Sequence, residues 1–203
     1  MNRRSFLAAL ASTPTWLTTA KAQSSTREIV LQYDFVNTTH GWIPGLSDYS
    51  LSAAMLDFRA EIRRFPENFN TDLTAYYLSS HNTPDDLFMF IKKELSTRDG
   101  LEPNRRYGAS IYIGFLSNAP SGGGPGIGGS PGASVYLKAG LTPTEPIAIL
   151  ENGTRVGINL DKGSQAQSGR DVQVVSTFEN GQEQQQNQPY VFVERVHHPP
   201  QPV

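Results

Sequence analysis

The sequence predicts an all-β fold: an antiparallel β-sandwich, jelly-roll-like, with about ten short strands. Three observations predict it. Apolar side chains alternate with polar ones along run after run, the period of a half-buried strand. Clusters of Gly, Pro, Asn and Asp separate those runs, each cluster supplying the residues that tight turns require. No long segment carries an unbroken helical stripe.

Taken in order, REIVLQYDF (27–35) sets Ile29, Leu31, Tyr33 and Phe35 on one face. DFRAEIR (57–63) sets Phe58, Ala60 and Ile62 against Asp57, Arg59, Glu61 and Arg63. Met55, Phe58, Ile62 and Phe65 also fit a helical stripe, but Pro66 closes the run and the charge alternation is clean, which favours a strand. LTAYYLS (73–79) is rich in aromatic residues, and DLFMFIKKEL (86–95) is apolar from Leu87 to Ile91, as a strand covered on both faces would be. RYGASIYIGFLSN (106–118) turns Tyr107, Ala109, Ile111, Ile113 and Phe115 inward. ASVYLKAG, EPIAIL, TRVGINL, DVQVVSTF and YVFVERV complete the set. GQEQQQNQ (181–188) reads as a polar loop, and the tail 197–203, HHPPQPV, as frayed and flexible.

The N-terminus stands apart. MNRRSFLAAL opens with Arg3 and Arg4 before Phe6 and Leu7, a mildly apolar stretch runs to about Ala20, and AKA at 20–22 is an A-x-A cleavage site. The stretch is too short and too broken by Pro14 to span a bilayer. It reads as a signal peptide over 1–22, and the twin arginines with weak hydrophobicity fit Tat export better than an ordinary Sec signal. Residues 23–196 then form one β-sandwich domain, exported to the periplasm or secreted. Losing three basic residues and no acidic one takes the formal charge from -2 to -5. A mildly acidic chain without a basic run makes nucleic acid a poor partner. Nothing after residue 22 is long and apolar enough for a helical membrane span. With no cysteine, disulfides, thiol catalysis and Cys-ligated metal are all excluded.

GGGPGIGGSPG (122–132) spells two catalytic motifs and fits neither. A G-x-G-x-x-G dinucleotide site needs a helix after the loop to hold the pyrophosphate, and here strand-like sequence follows. A G-x-S-x-G elbow at Ser130 needs the backbone N–H of the next residue for its oxyanion hole, and that residue is Pro131. The loop reads as a connection.

Candidate site residues are few. HGWIPGLSDY (40–49) places Trp42 and Tyr49 in a Gly- and Pro-containing loop with Asp48, the arrangement of an aromatic platform with a polar acceptor for sugar hydroxyls. A lone Trp that plugs one end of the core is the competing reading. Asp85 and Asp86 are the candidate ligands for Ca²⁺, the one cofactor suggested, with ordinary turn chemistry as the alternative. The four histidines do not group by spacing, and no catalytic residue is singled out.

SSHNTPDDLFMFIKKEL, GLEPNRRYGASIYIGFLSNAPSGGGPGIGGSPGASVYLKAG and INLDKGSQ together resemble a family of exported bacterial proteins without an assigned activity. Its segments are a DDLFMF-type strand, a GLxPNxxY turn, an SNAP-Gly-rich loop and a VYLKAG strand. The resemblance covers roughly residues 33–166 and implies a fold and an address, not a reaction. GLEPNRRY is also similar to the turn that opens a strand in fibronectin-like and carbohydrate-binding sandwiches. The expected function is a non-catalytic binding module for a glycan or cell-surface polymer. The alternatives are a hydrolase of envelope polysaccharide and a structural or interaction protein of the envelope. A hydrolase needs carboxylates, or a nucleophile and base, converging in a cleft; a binding module needs only an exposed aromatic face.

The leader reading has a direct check. The intact mass of the extracytoplasmic protein is expected to start at Gln23, and replacing Arg3 and Arg4 by Lys is expected to hold the precursor in the cytoplasm. Normal export of that variant would leave a Sec leader in place of a Tat one.

Overall fold

The structure is a computed structural model that describes residues 28–52, 57–81, 86–127 and 129–199. Chain packing divides it into Met1–Val30 and Leu31–Val203. The regular elements among the described residues lie in the second unit, and they are strands and single 3-10 turns. In order they are β1 Ile43–Ser47, β2 Tyr49–Ser50, β3 Arg59–Arg64, β4 Thr74–Ser79, β5 Phe88–Lys92, β6 Ile111–Ser117 and β7 Pro125–Ile127. There follow β8 Ser130–Pro131, β9 Tyr136–Ala139, β10 Ala148–Glu151, β11 Arg155–Ile158, β12 Gln173–Thr177 and β13 Val191–His197.

Every pairing is antiparallel. The ladders are β1–β5, β10–β11–β2, β9–β12, β6–β13, β3–β4 and β7–β8. β1 runs beside β10 and β11, and β12 beside β13, so short ladders pack on one another as an all-β, sandwich-like fold. Phe115 of β6 packs on Phe178, the residue after β12, with ring centres 4.9 Å apart. Arg195 of β13 reaches across to Ser176 Oγ (2.8 Å) and the Glu179 carbonyl (3.1 Å). Ser117, buried at the end of β6, donates to the Phe178 carbonyl and accepts from the Ala119 N–H.

Buried apolar side chains are few among the described residues: Ala119, Val156, Leu160 and Val193, with Pro120 fully enclosed. Half-buried aromatic rings supply the rest. Two rings fill glycine positions. Half-buried Phe90 lies over Gly45, its cross-strand partner, where a Cβ would come within 2.4 Å of the ring, and exposed Phe192 lies over Gly114, diagonal to it in the ladder, at 2.5 Å. An aromatic ring over a strand glycine replaces the side-chain packing that the glycine lacks.

Alternation located most strands. β3 and β4 fall inside the predicted runs, and β3 shows the in–out burial that its charges implied. The competing helical stripe fails there because Arg59–Arg64 pairs residue by residue with Thr74–Ser79; Met55 lies outside the described residues.

Two segments differ from the prediction. Residues 28–35 form no ladder, because Asp34 Oδ1 accepts the Val36 N–H at 3.1 Å and Phe35 and Asn37 take positive φ, so the chain curls instead of extending. Conversely, the expected loop after Trp42 is strand β1, despite its Pro44 and Gly45. The Pro ring tolerates extended backbone, and Phe90 covers the glycine. The ladder of β13 also runs on to His197, and His198 Nδ1 shares a hydrogen bond with Ser110 Oγ at 2.9 Å, so the first residues of the expected tail belong to the fold.

The glycine loop is held by the glutamine-rich loop. Ser121 N–H donates to the Gln182 carbonyl at 2.8 Å, Gly181 N–H donates to Ser121 Oγ, and Gly124 packs against Gln184 and Pro120. Ser130 and Pro131 make a short bridge, then one 3-10 turn (Gly132–Ser134) leads into β9. Neither motif spelled by that loop has the helix that it needs.

Close backbone approach elsewhere gives a test of the packing. A Cβ at Gly140, where β9 ends, would sit 2.1 Å from the Asp171 carbonyl oxygen. Gly140→Ala is expected to lower stability by about 1–3 kcal/mol, since backbone must move to admit the methyl. An unchanged urea midpoint would show that the β9–β12 ladder has slack there.

Candidate functional site

β1 fixes how the predicted residues are distributed. Trp42 precedes it and Asp48 follows it, so an extended strand holds them about 20 Å apart at ~3.3 Å per residue. They cannot share one sugar ring.

At the first end is an aromatic cluster. Tyr33 meets Trp42 edge-on at 5.5 Å, Phe35 meets Trp42 at 6.4 Å, and Tyr76 closes on Phe35 at 5.4 Å. His40 bonds Asp34 through Nε2 at 3.0 Å, and that hydrogen bond holds the Asp34 carboxyl below the usual range. Lys93 donates to the His40 carbonyl and lies 5.2 Å from the Tyr33 ring centre. Trp42 Nε1 and the Tyr33 hydroxyl are enclosed without a hydrogen-bond partner. Burial, then the charge of Asp99, pushes the Tyr33 phenol up. A cleft of about 490 Å³ between Lys93 and Asp99 lies alongside. Its Ser96 and Asp99 are committed to capping their own turn. Trp42 is thus half-buried with its neighbours turned onto it.

At the second end Asp48 stands at φ 65°, a left-handed conformation that Asp tolerates better than most side chains. Its N–H donates to the Val156 carbonyl at 2.7 Å, fixing the step from β1 into β2. Its carboxylate, 14% exposed, accepts from the buried Ser47 hydroxyl at 2.8 Å. It also pairs with Arg155 Nη2 and Lys162 Nζ, each at 3.3 Å. Asp86 Oδ2 takes the same Arg155 nitrogen at 2.7 Å, and Glu151 stands 3.9 Å from Arg155 Nε. Hydrogen bonding to Asp86, first among several causes, raises the Arg155 guanidinium further. Lys138 donates to the Lys162 and Gln167 carbonyls, and burial, with Lys162 beside it, holds its ammonium below the usual lysine range. Tyr49 is half-buried in β2, opposite Val156.

The structure therefore joins Asp48 and Asp86 and separates Trp42 from both. A glycosidase pair leaves its two carboxylates open to a bond between them. Here Arg155 occupies that space. Asp86 Oδ2 is committed to a guanidinium, and its other oxygen is enclosed without a partner. Asp85 lies outside the described residues. Among the described residues no three His, Asp or Glu side chains converge as a metal site.

The exposed aromatic face is elsewhere. β6 and β13 pair with Tyr112 opposite Val196, Gly114 opposite Glu194 and Leu116 opposite Phe192. Paired residues share a face. Ile111, Ile113, Phe115, Val193 and Arg195 line the other face, turned inward. The outward face carries Tyr112 at 75% exposure, Phe192 at 53% and Val196 at 47%, with Glu194 between the rings and the Ser110–His198 pair at one end. Single exposed apolar residues are ordinary, but Tyr112 beside Val196, with the Phe192 ring reaching over Gly114 from the far side of the Gly114–Glu194 rung, forms a patch. The serine and histidine make no triad: among the described residues no carboxylate hydrogen-bonds the His198 ring.

The sequence analysis passed over this face, although an aromatic at a polar-parity position, Tyr112 in IYIGFLS, was the signal available.

No helix among the described residues is long and apolar enough to cross a membrane. No family model, curated protein or solved structure matches the chain.

If the Asp48 pairings hold the corner together, Asp48→Asn is expected to destabilise the fold by about 1–3 kcal/mol, between the exposed and buried ion-pair cases. Asn tolerates the same positive φ, so the loss reports the charge and not the backbone. Thermal unfolding of the variant measures it, and an unchanged melting temperature would make the network incidental.

Proposed function

We propose that this protein is an exported, non-catalytic module that binds a glycan or envelope polymer on the outward face of the β6–β13 ribbon. The observation that carries the reading is the pair of exposed rings, Tyr112 and Phe192, on the rungs either side of the Gly114–Glu194 pair, beside polar groups. Sugar rings present C–H faces that stack on aromatic rings and hydroxyls that need acceptors and donors. Glu194, Ser110 and His198 supply the second kind of contact on the same face. The leader-like N-terminus and the resemblance to exported sandwiches agree with an envelope address.

Catalysis has less support. The two carboxylates that converge, Asp48 and Asp86, do so on an arginine of the fold. On this reading Asp48 shapes a corner and Trp42 anchors an aromatic cluster, and neither is a platform for sugar.

Retention on polysaccharide and cell-wall fractions tests it. Tyr112→Ala and Phe192→Ala are each expected to weaken binding about tenfold, some 1.4 kcal/mol. Tyr112 is the more exposed, so its loss should change stability by under about 0.5 kcal/mol, and Phe192→Ala, which also uncovers Gly114, by up to about 1 kcal/mol. Trp42→Ala should instead cost about 2 kcal/mol of stability. Loss of binding in Trp42→Ala at an unchanged melting temperature, with the other two variants binding normally, would move the site to the Trp42 cluster.

A further inference from the structure

Glu194 is the odd group on this face. Its carboxylate has neither an ion-pair nor a hydrogen-bond partner among the described residues, whereas Asp48, Asp57, Glu61, Asp72, Asp86, Glu102, Glu145 and Asp171 each pair with a lysine or arginine. The nearest cation in sequence, Arg195, is turned to the other face and held by Ser176 and Glu179. No lysine or arginine stands on the outward positions of either strand, which are Ser110, Tyr112, Gly114, Leu116, Phe192, Glu194, Val196 and His198.

The ladder places this carboxylate between two rings. Glu194 is opposite Gly114, whose missing side chain admits the Phe192 ring. Tyr112 stands on the next rung, diagonal to Glu194, within reach of a long side chain. A carboxylate flanked by aromatic faces attracts an ammonium that is attached to an apolar body, through charge on one side and cation–π contact on the others. An anionic polymer would be repelled by the same group.

We infer that the ligand is a polymer of amino sugars bearing free amines, bound with an ammonium against Glu194 and its rings on Tyr112 and Phe192. This rests on the glycan-binding reading of the same face and adds the charge of the ligand to it.

The probes are a glucosamine hexamer and the N-acetylglucosamine hexamer, which differ in the ammonium. Calorimetric titration into the mature chain, at a pH where the amines are protonated, is expected to give about tenfold tighter binding of the amine form at low salt. Glu194→Gln should bring the amine form down to the affinity of the acetylated form and so abolish that preference. Gly114→Ala should weaken both forms, because its methyl displaces the Phe192 ring and leaves the carboxylate in place. Equal binding of both forms by the wild type, lost in Tyr112→Ala, would overturn the ammonium inference and keep the glycan platform. A preference that survives in Glu194→Gln would overturn it as well. Binding of neither form would overturn the inference together with the reading beneath it.

Discussion

One backbone step, from β1 into β2, depends on Asp48. The chain must turn there so that Ser47 can finish its ladder with β5 while Tyr49 starts one with β11. That change of partner within three residues requires a positive φ at Asp48. A side chain in that conformation is strained unless its surroundings hold it. Ser47, Arg155 and Lys162 do so, and through them the turn is tied to β11 and to the loop that β12 leaves from. Lys138 extends the tie into β9. Two ladders, β1–β5 and β10–β11–β2, meet at one carboxylate, and a third, β9–β12, is tied to it through Lys162.

Such a hub matters because the apolar core is thin. With few fully buried hydrophobic side chains, the fold depends on half-buried rings and on polar contacts that leave little room for error. The rings segregate. Tyr33, Phe35, Trp42 and Tyr76 turn onto one another at one end of β1, and Phe115 and Phe178 join two ladders. In a protein so short of buried apolar surface, rings left on the outside of a ladder are surface that the fold does not use. That contrast, more than the exposure of either ring alone, draws attention to Tyr112 and Phe192.

Strand content was legible from the sequence because alternation is a local property. The partners of those strands were not, and site residues follow from partners. Trp42, Asp48 and Tyr49 looked like one loop because eight residues of turn-forming composition hold them. The composition misled because Pro44 and Gly45 can be strand residues where a cross-strand Phe90 fills the gap, a fact written forty-five positions away. Asp48 was singled out as a sugar acceptor and Asp86 as a calcium ligand, but the cation between them, Arg155, comes from a strand sixty-nine residues after Asp86. The face of Tyr112 and Phe192 needed the register of two strands some eighty residues apart. Each strand alone shows only an aromatic at an outward position.

Gly114 joins the fold to the site. In mid-strand a glycine costs conformational entropy and contributes no packing. Leu116, opposite Phe192, shows that an apolar side chain can be placed on this face, so the glycine is not imposed by an apolar requirement. Its consequence is geometric: the Phe192 ring can lie down along the ladder in place of standing off it, with its tip over Gly114. A ring lying flat presents a broad face to solvent, where an upright one would present an edge. Stacking contact with a planar or chair-shaped ligand grows with that face. The same missing side chain brings the Phe192 ring onto the rung of Glu194, since Gly114 is the direct cross-strand partner of that carboxylate. A single absent methyl therefore sets how the platform meets the charge beside it.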